Sequence, residues 1–315
     1  MPWLVGIDEA GYGPNLGPLV VAMSAWFVPE FPVDLWTSLK EVVRKKTGRD
    51  DGRILIDDSK KVHAGVSGNT RLERGIFSLF EQPPSGNFDE FLLQVAESSR
   101  DFLAEEPWYQ KDFTLPHYCT PSDTEFSRRR LQSLLLEKKI RVPPVEAKIF
   151  PALLFNNLLD AWDNKARILT FADTYLWQKA TQLPTQEPVM IIADRLGGRT
   201  HYLGLLEHTF PNTKIEVIQE TEAESRYQFV VQDRPVTLLV QAKADAQFLP
   251  VAVASMLAKY LREICMEQFN QFWKHHIPEL EPTAGYPVDA ARFWEDIAQK
   301  AEELGIEKRK IWRFK

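Results

Sequence analysis

Four carboxylates stand where a folded chain could use them together. Asp8 ends a short apolar run, residues 3–7, and Gly11, Gly13, Pro14 and Gly17 break the chain just beyond it. Asp194 ends the apolar run 189–193 in the same way, Glu9 adds a neighbouring acid, and Asp245 lies between a strand pattern and a long helical one. A rigid strand end aims a side chain while the loops beside it admit a ligand. Taken singly, each acid would read as a turn or cap residue. If they converge, two like charges about 4 Å apart repel by roughly 4 kcal/mol at an effective dielectric of 20. Such acids must either hold protons or bind a cation. With oxygen ligands and no partnering His or Cys, Mg²⁺ or Mn²⁺ is favoured over zinc. A pair of these ions can activate water and stabilise the leaving oxygen of a phosphodiester.

The elements that must position these acids follow from periodicity. Residues 3–7 and 19–28 read as strands, and 189–193 as a buried central strand. Thr70-x-x-Glu73 has the spacing of a capping box, and Leu72, Ile76, Leu79 and Phe80 then recur at helical intervals. A turn-like stretch covers 46–57, and Pro83-Pro84-Ser85-Gly86 punctuates the chain before a helix marked by Phe88, Phe91, Leu92 and Val95. Ser122-x-x-Glu125 predicts the start of a helix running to Leu135, and 140–142 a strand. Residues 152–159, 168–179 and 202–208 read as helices, and 214–218, 227–231 and 236–240 as strands. A helix starts near Pro250, a good first-turn residue, and continues to about Trp273; another covers 290–304. On the former, Ser255, Lys259 and Arg262 share one face, suited to phosphates or simply to solvent, opposite Met256, Leu257, Tyr260, Leu261 and Ile264.

The run Gly6-Ile7-Asp8-Glu9-Ala10-Gly11-Tyr12-Gly13-Pro14, continued by Gly17-Pro18-Leu19-Val20-Val21-Ala22, closely resembles the opening motif of ribonuclease HII. That family has Arg where Tyr12 stands. Asp58-Ser59-Lys60-Lys61-Val62 is similar to its Asp-Ser-Lys-Lys-Leu segment, and Asp194 falls where its third carboxylate falls. Lys243-Ala244-Asp245-Ala246, followed by Ala254-Ser255-Met256-Leu257-Ala258-Lys259, resembles the stretch that holds its fourth. Gly285-Tyr286-Pro287 resembles its C-terminal Gly-Tyr motif, without the Thr and His that usually follow. All of these occur in the family's order.

The resemblance implies an α/β fold with a ribonuclease H-like mixed β-sheet flanked by helices, carrying insertions and a C-terminal helical extension. A catalytic domain over 1–270 is expected, with insertions near 83–138 and 200–236 and the extension over 271–315. It further implies that Asp8, Glu9, Asp194 and Asp245 hold two Mg²⁺ or Mn²⁺ ions about the scissile phosphate. Gly11, Tyr12, Gly13, Ser59, Lys60, Ser255, Lys259 and Tyr286 would then contact substrate, with the loop amides reading the ribose 2′-hydroxyl and Tyr286 stacking under a junction sugar. The implied reaction is cleavage of the RNA strand of RNA–DNA hybrids, or nicking at ribonucleotides embedded in DNA, leaving 5′-phosphate and 3′-hydroxyl ends. A catalytically lapsed nucleic-acid-binding relative, or another nuclease of this fold acting on DNA, are the alternatives. Arg128, Arg129 and Arg130 would add phosphate contacts or form a solvated helix face.

Composition sets wider bounds. The 315 residues are 44% hydrophobic and 26% charged, with a net charge of −6. That balance argues against coating nucleic acid by bulk attraction, but allows a grip by a few local cations around an acidic centre. No apolar run is long enough to span a bilayer, and the start lacks a signal peptide's pattern. Cys119 and Cys265 form no disulfide or zinc spacing. A cytoplasmic monomer acting on RNA–DNA hybrid or ribonucleotide-containing duplex, away from membranes, is the expectation.

Overall fold

A computed structural model describes residues 2–46, 48, 51–82, 84, 86–142 and 145–314. Thr47, Arg49 and Asp50 of the turn-like stretch, and Pro83 and Ser85 of the Pro-Pro-Ser-Gly punctuation, lie outside the described residues. The centre is a seven-stranded sheet. Its strands are β1 (Trp3–Ala10), β2 (Leu19–Phe27), β3 (Glu146–Phe150), β4 (Val189–Asp194), β5 (Glu216–Glu220), β6 (Glu224–Val231) and β7 (Arg234–Gln241). They lie in the order β3-β2-β1-β4-β7-β6-β5. β1, β4 and β7 are mutually parallel, β2 runs against both β1 and β3, and β5 to β7 form an antiparallel meander. This is a mixed sheet, as the motifs imply.

The middle strands are apolar almost throughout because both sheet faces are covered. Trp3, Val5 and Ile7 point into one core, and Leu4 into the other. The first core lies under three helices, α5 (Ala152–Trp162), α6 (Lys165–Thr181) and α7 (Leu203–Thr209). The second is organised around α8 (Leu249–His276), which is buried on nearly every side over its first half. This helix crosses the sheet at Gly6, where a Cβ would stand 2.1 Å from the carbonyl carbon of Pro250. Ser24, the partner of Gly6 across β1 and β2, donates to the Pro250 carbonyl at 2.7 Å. Only a glycine at position 6 lets the helix lie that close.

Further helices on the second side include α1 (Ser59–His63), α2 (Gly68–Phe77), α3 (Phe88–Val95) and α4 (Pro121–Glu137). The segment 83–138 is no loose appendage, for Phe88, Phe91, Leu131 and Leu135 share the core of α8. Residues 200–236 supply α7 and widen the sheet through β5 and β6. At the C-terminal end, α9 (Pro287–Glu303) is followed by a strap that returns to the N-terminal loop, where Trp312 bridges Leu16.

Several local readings are corrected. Thr70-x-x-Glu73 is no capping box: α2 begins after Ser67, and Glu73 is buried inside it. Its carboxylate accepts from the amides of His117, Tyr118 and Cys119 and from the Tyr260 hydroxyl, so it pins the 117–119 loop rather than a helix start. The box that starts α4 is Thr120 with Asp123, two residues ahead of the expected pair. Residues 140–142 make one bridge, Arg141 to Phe27, instead of a strand. Strand β3 was not anticipated, because its five residues Glu-Ala-Lys-Ile-Phe carry too few apolar side chains to signal one.

Candidate active site

Register places the acids. Ile7 of β1 and Val240 of β7 both pair with Ala193 of β4, and Asp194 pairs with Gln241. Asp8 and Asp194 therefore stand side by side just where the parallel pairing of β1 and β4 stops, a strand spacing of about 4.8 Å apart and on the same face. Ligands in open α/β sheets gather outside such carboxyl ends. Beyond Gln241 the chain turns through Lys243, in the left-handed region at φ 58, into a short turn of 3₁₀ helix, Ala244–Ala246. Asp194 accepts from the Ala244 amide at 3.1 Å, tying that turn, and with it Asp245, to the end of β4. From the other side, Ser255 of α8 joins Ser59 at the start of α1, with their hydroxyls 3.0 Å apart.

The outcome is one cleft of about 440 Å³. It is lined by Asp8, Glu9, Asp58, Asp194 and Asp245, by Ser59 and Ser255, and by Lys60, Lys61 and Lys243. Of the sequence-expected residues, the four acids with Ser59, Lys60 and Ser255 are thus brought together. Lys243 and Asp58 are additions on the same wall.

The acids strain against one another. Burial, and then the charge of Glu9, hold the Asp8 carboxyl well above the usual range, although a hydrogen bond with Ser255 pulls the other way. Burial, with Asp173 and Asp194 nearby, pushes Glu9 up to about 7. Asp245 is raised by burial and by Asp58 and Asp194. Asp173, on α6, went unnoticed in the sequence although a signal existed: an acid on the face that carries Leu169, Ala172 and Leu176. It is 3% exposed, its Oδ2 has no hydrogen-bond partner, and burial followed by the Asp8 charge raises it far above its ordinary value. The donor set therefore fits a hard divalent cation. All ligands are oxygens, and their mutual repulsion is what a cation would relieve. Among the described residues, no three such side chains are already drawn around one point that could hold a metal.

The glycine loop beside this cleft is anchored from beneath. Arg262 of α8 is buried and donates to the carbonyls of Leu16 and Ala284. Arg313 is likewise buried, donating from Nη2 to the carbonyls of Gly11 at 2.6 Å and of Pro14. Gly285 accepts from the amides of Asn15 and Leu16, so Tyr286, 54% exposed, stands next to the loop with its ring free. Tyr12 packs on the core of α5 and α6, with Lys165 over its ring at 4.8 Å.

Two members of the expected polar stripe on α8 have other duties. Arg262 is a structural clamp. The Lys259 ammonium is held by Glu263 at 2.5 Å with most of its side chain buried. The arginines of α4 also have intramolecular partners: Arg128 and Arg129 bind Glu125, and Arg130 binds the carbonyls of Gly52 and Glu41. Cys119 and Cys265 are free thiols. Among the described residues, no helix is long and apolar enough to cross a membrane.

Comparison with known proteins bears on the whole chain. A family model described as Ribonuclease HII matches residues 202–313, the part that carries Asp245, Ser255, Lys259, Tyr286 and Arg313. No curated protein matches. Among solved structures, ribonuclease HII of Archaeoglobus fulgidus, determined in complex with PCNA, is 16% identical, with 99% of this chain and 94% of that chain covered at a TM-score of 0.43. Ribonuclease H2 of Pyrococcus horikoshii OT3 is 17% identical, with 98% and 92% covered at a TM-score of 0.40. Bst ribonuclease HIII, determined with Mn²⁺, is 15% identical, with 99% and 65% covered at a TM-score of 0.44. The Asp-Glu-Ala-Gly motif and the match over 202–313 fall on separate parts of the chain, and both are similar to ribonuclease HII.

Proposed function

We propose that the chain is an endonuclease that hydrolyses the RNA strand of RNA–DNA hybrids, or nicks beside ribonucleotides embedded in DNA, and leaves 5′-phosphate and 3′-hydroxyl ends. The observation that carries this reading is the convergence of Asp8, Glu9, Asp194 and Asp245 on one cleft beside the glycine loop. These four would hold two Mg²⁺ or Mn²⁺ ions. When bound, such a pair supplies an activated water and stabilises the leaving oxygen of a phosphodiester.

The chain's own residues supply the rest. Strands β1 and β4 fix where Asp8 and Asp194 point, and the Ala244–Ala246 turn carries Asp245 to them. Ser59 and Ser255 hold hydroxyls at the cleft floor, and Lys60 and Lys243 set positive charge at its rim, where a polyanion enters. Backbone amides of the glycine loop, free of side chains at positions 11 and 13, suit recognition of a ribose 2′-hydroxyl at close range.

The test is cleavage of three matched duplexes: a long hybrid, a single embedded ribonucleotide and DNA alone. Cutting of the ribonucleotide-containing duplexes should need Mg²⁺ or Mn²⁺ and stop with chelator. Asp8→Asn and Asp194→Asn should each lower turnover by at least a hundredfold in folded protein. Equal cutting of all-DNA duplex would instead favour a DNA-directed nuclease of the same fold. Full activity in either variant would remove these acids from the chemistry.

A further inference from the structure

Lys165 is the first residue of α6, the 17-residue helix capped by Asn164, and its ammonium lies over the Tyr12 ring. A cation at a helix N-terminus meets the positive end of the helix dipole. No acidic residue in the first turn of α6 offsets it, and among the described residues no carboxylate pairs with it. Burial and the nearby Arg313 guanidinium hold the ammonium below the usual lysine range, a sign that positive charge is crowded here. Arg313 is itself buried and lacks a carboxylate partner among the described residues. Its Nε and Nη1 have no hydrogen-bond partner. Tyr12 is kept protonated by burial and by Glu9, so its hydroxyl can donate. Gly13, next to it, is exposed with open space around it. The far side of the glycine loop thus gathers two cations, a helix N-terminus and a hydroxyl donor; among the described residues neither cation is ion-paired, and the charges of Glu9 and Glu106 are felt at Tyr12 and Arg313.

We propose that Lys165 and the Tyr12 hydroxyl form a subsite for a backbone phosphate of the bound nucleic acid, flanking the carboxylate cleft. The subsite rests on the proposed function, since it takes the glycine loop as the surface on which the duplex lies. It gives this chain a phosphate contact from a helix start instead of from the loop itself. A lysine reads phosphate as a point charge and carries no base preference, so the subsite contributes grip and register but not sequence choice.

Binding decides the matter without relying on turnover. Fluorescence anisotropy with a labelled RNA–DNA hybrid, and separately an all-DNA duplex, is measured across a salt series with chelator present. Lys165→Gln removes the charge but keeps a polar side chain beside Tyr12. It should weaken binding several-fold at low salt and make the slope of log affinity against log salt shallower by about 0.9. Lys165→Arg should restore both, and Tyr12→Phe should weaken binding less. Unchanged affinity and slope in folded Lys165→Gln would overturn the subsite. Loss of slope in Lys165→Gln, in a parent that cuts all duplexes alike, would keep the subsite and sink the ribonuclease reading instead.

Discussion

Gly11 and Gly13 flank the same tyrosine but answer to different constraints. Gly11 has φ +86, and a Cβ there would stand 2.5 Å from the Pro18 carbonyl oxygen and 2.7 Å from the Arg262 side chain. Gly13 lies outside the left-handed region, with nothing within 4 Å of a Cβ. The conformational constraint of this loop therefore belongs to position 11, and a side chain at position 13 would meet only an approaching ligand. Gly11→Ala is expected to cost about 1–3 kcal/mol of stability and to lower hybrid cleavage at least tenfold, because it strains the loop and displaces the Arg262 clamp. Gly13→Ala should fold as the parent does, so any loss of activity there reports only a ligand approaching the backbone. Urea midpoints beside cleavage rates separate the two. Equal stability of Gly11→Ala and parent would show that the loop tolerates a side chain at both places.

At the scale of elements, the C-terminal strap matters most. Arg313 Nη2 satisfies two loop carbonyls, those of Gly11 and Pro14. The Arg313 amide donates to Asn15, and Asn156 of α5 grips the strap through the carbonyls of Arg309 and Trp312. Leaving two buried carbonyls unpaired costs about 1–3 kcal/mol each. Arg313→Ala should thus destabilise by about 2–6 kcal/mol and raise KM for hybrid. Arg313→Lys should recover part of the stability, since one ammonium can reach one carbonyl but lacks the fork to serve both. Thermal unfolding with steady-state kinetics checks this, and an unchanged Tm in Arg313→Ala would contradict the anchoring role. No sequence pattern announces such a strap. In the sequence Arg313, among Lys308, Arg309, Lys310 and Lys315, looks like one more charge of a solvated basic tail until the fold brings it beneath the loop. The strands that carry Asp8 and Asp194 were legible because each opens as an apolar run stopped by an acid, although β1 continues past Asp8 to Ala10. Asp173 showed only as an acid on an apolar helix face and Lys165 not at all, because nothing local tells either that β1 or the glycine loop, far earlier in the chain, lies against it.

For the whole molecule, the 83–138 segment joins the two sides of the structure, and Glu106 is its most telling residue. Only 2% exposed, it accepts from the Leu153 amide at 2.9 Å at the start of α5, and burial pushes its carboxyl up to about 8. An acid whose folded value exceeds its unfolded one binds protons more readily in the native state. Its contribution is therefore full below about pH 4.5 and is lost as pH rises through about 8. Glu106→Gln keeps an acceptor for Leu153 and has no charge to bury. Relative to parent it should gain on the order of a few kcal/mol as pH rises from 5 to 9, read from urea midpoints at each pH. Parallel pH profiles for the two proteins would contradict that assignment. The strap also bears on synthesis: Arg313 and Gly11 meet across 302 residues of chain. A ribosome makes the glycine loop long before the arginine that underpins it. Once β7 and the Ala244–Ala246 turn have been made, the acids can stand together while the loop beside them still lacks its floor. A chain arrested before Arg309 would keep the carboxylate cleft but leave the loop beside it unsettled.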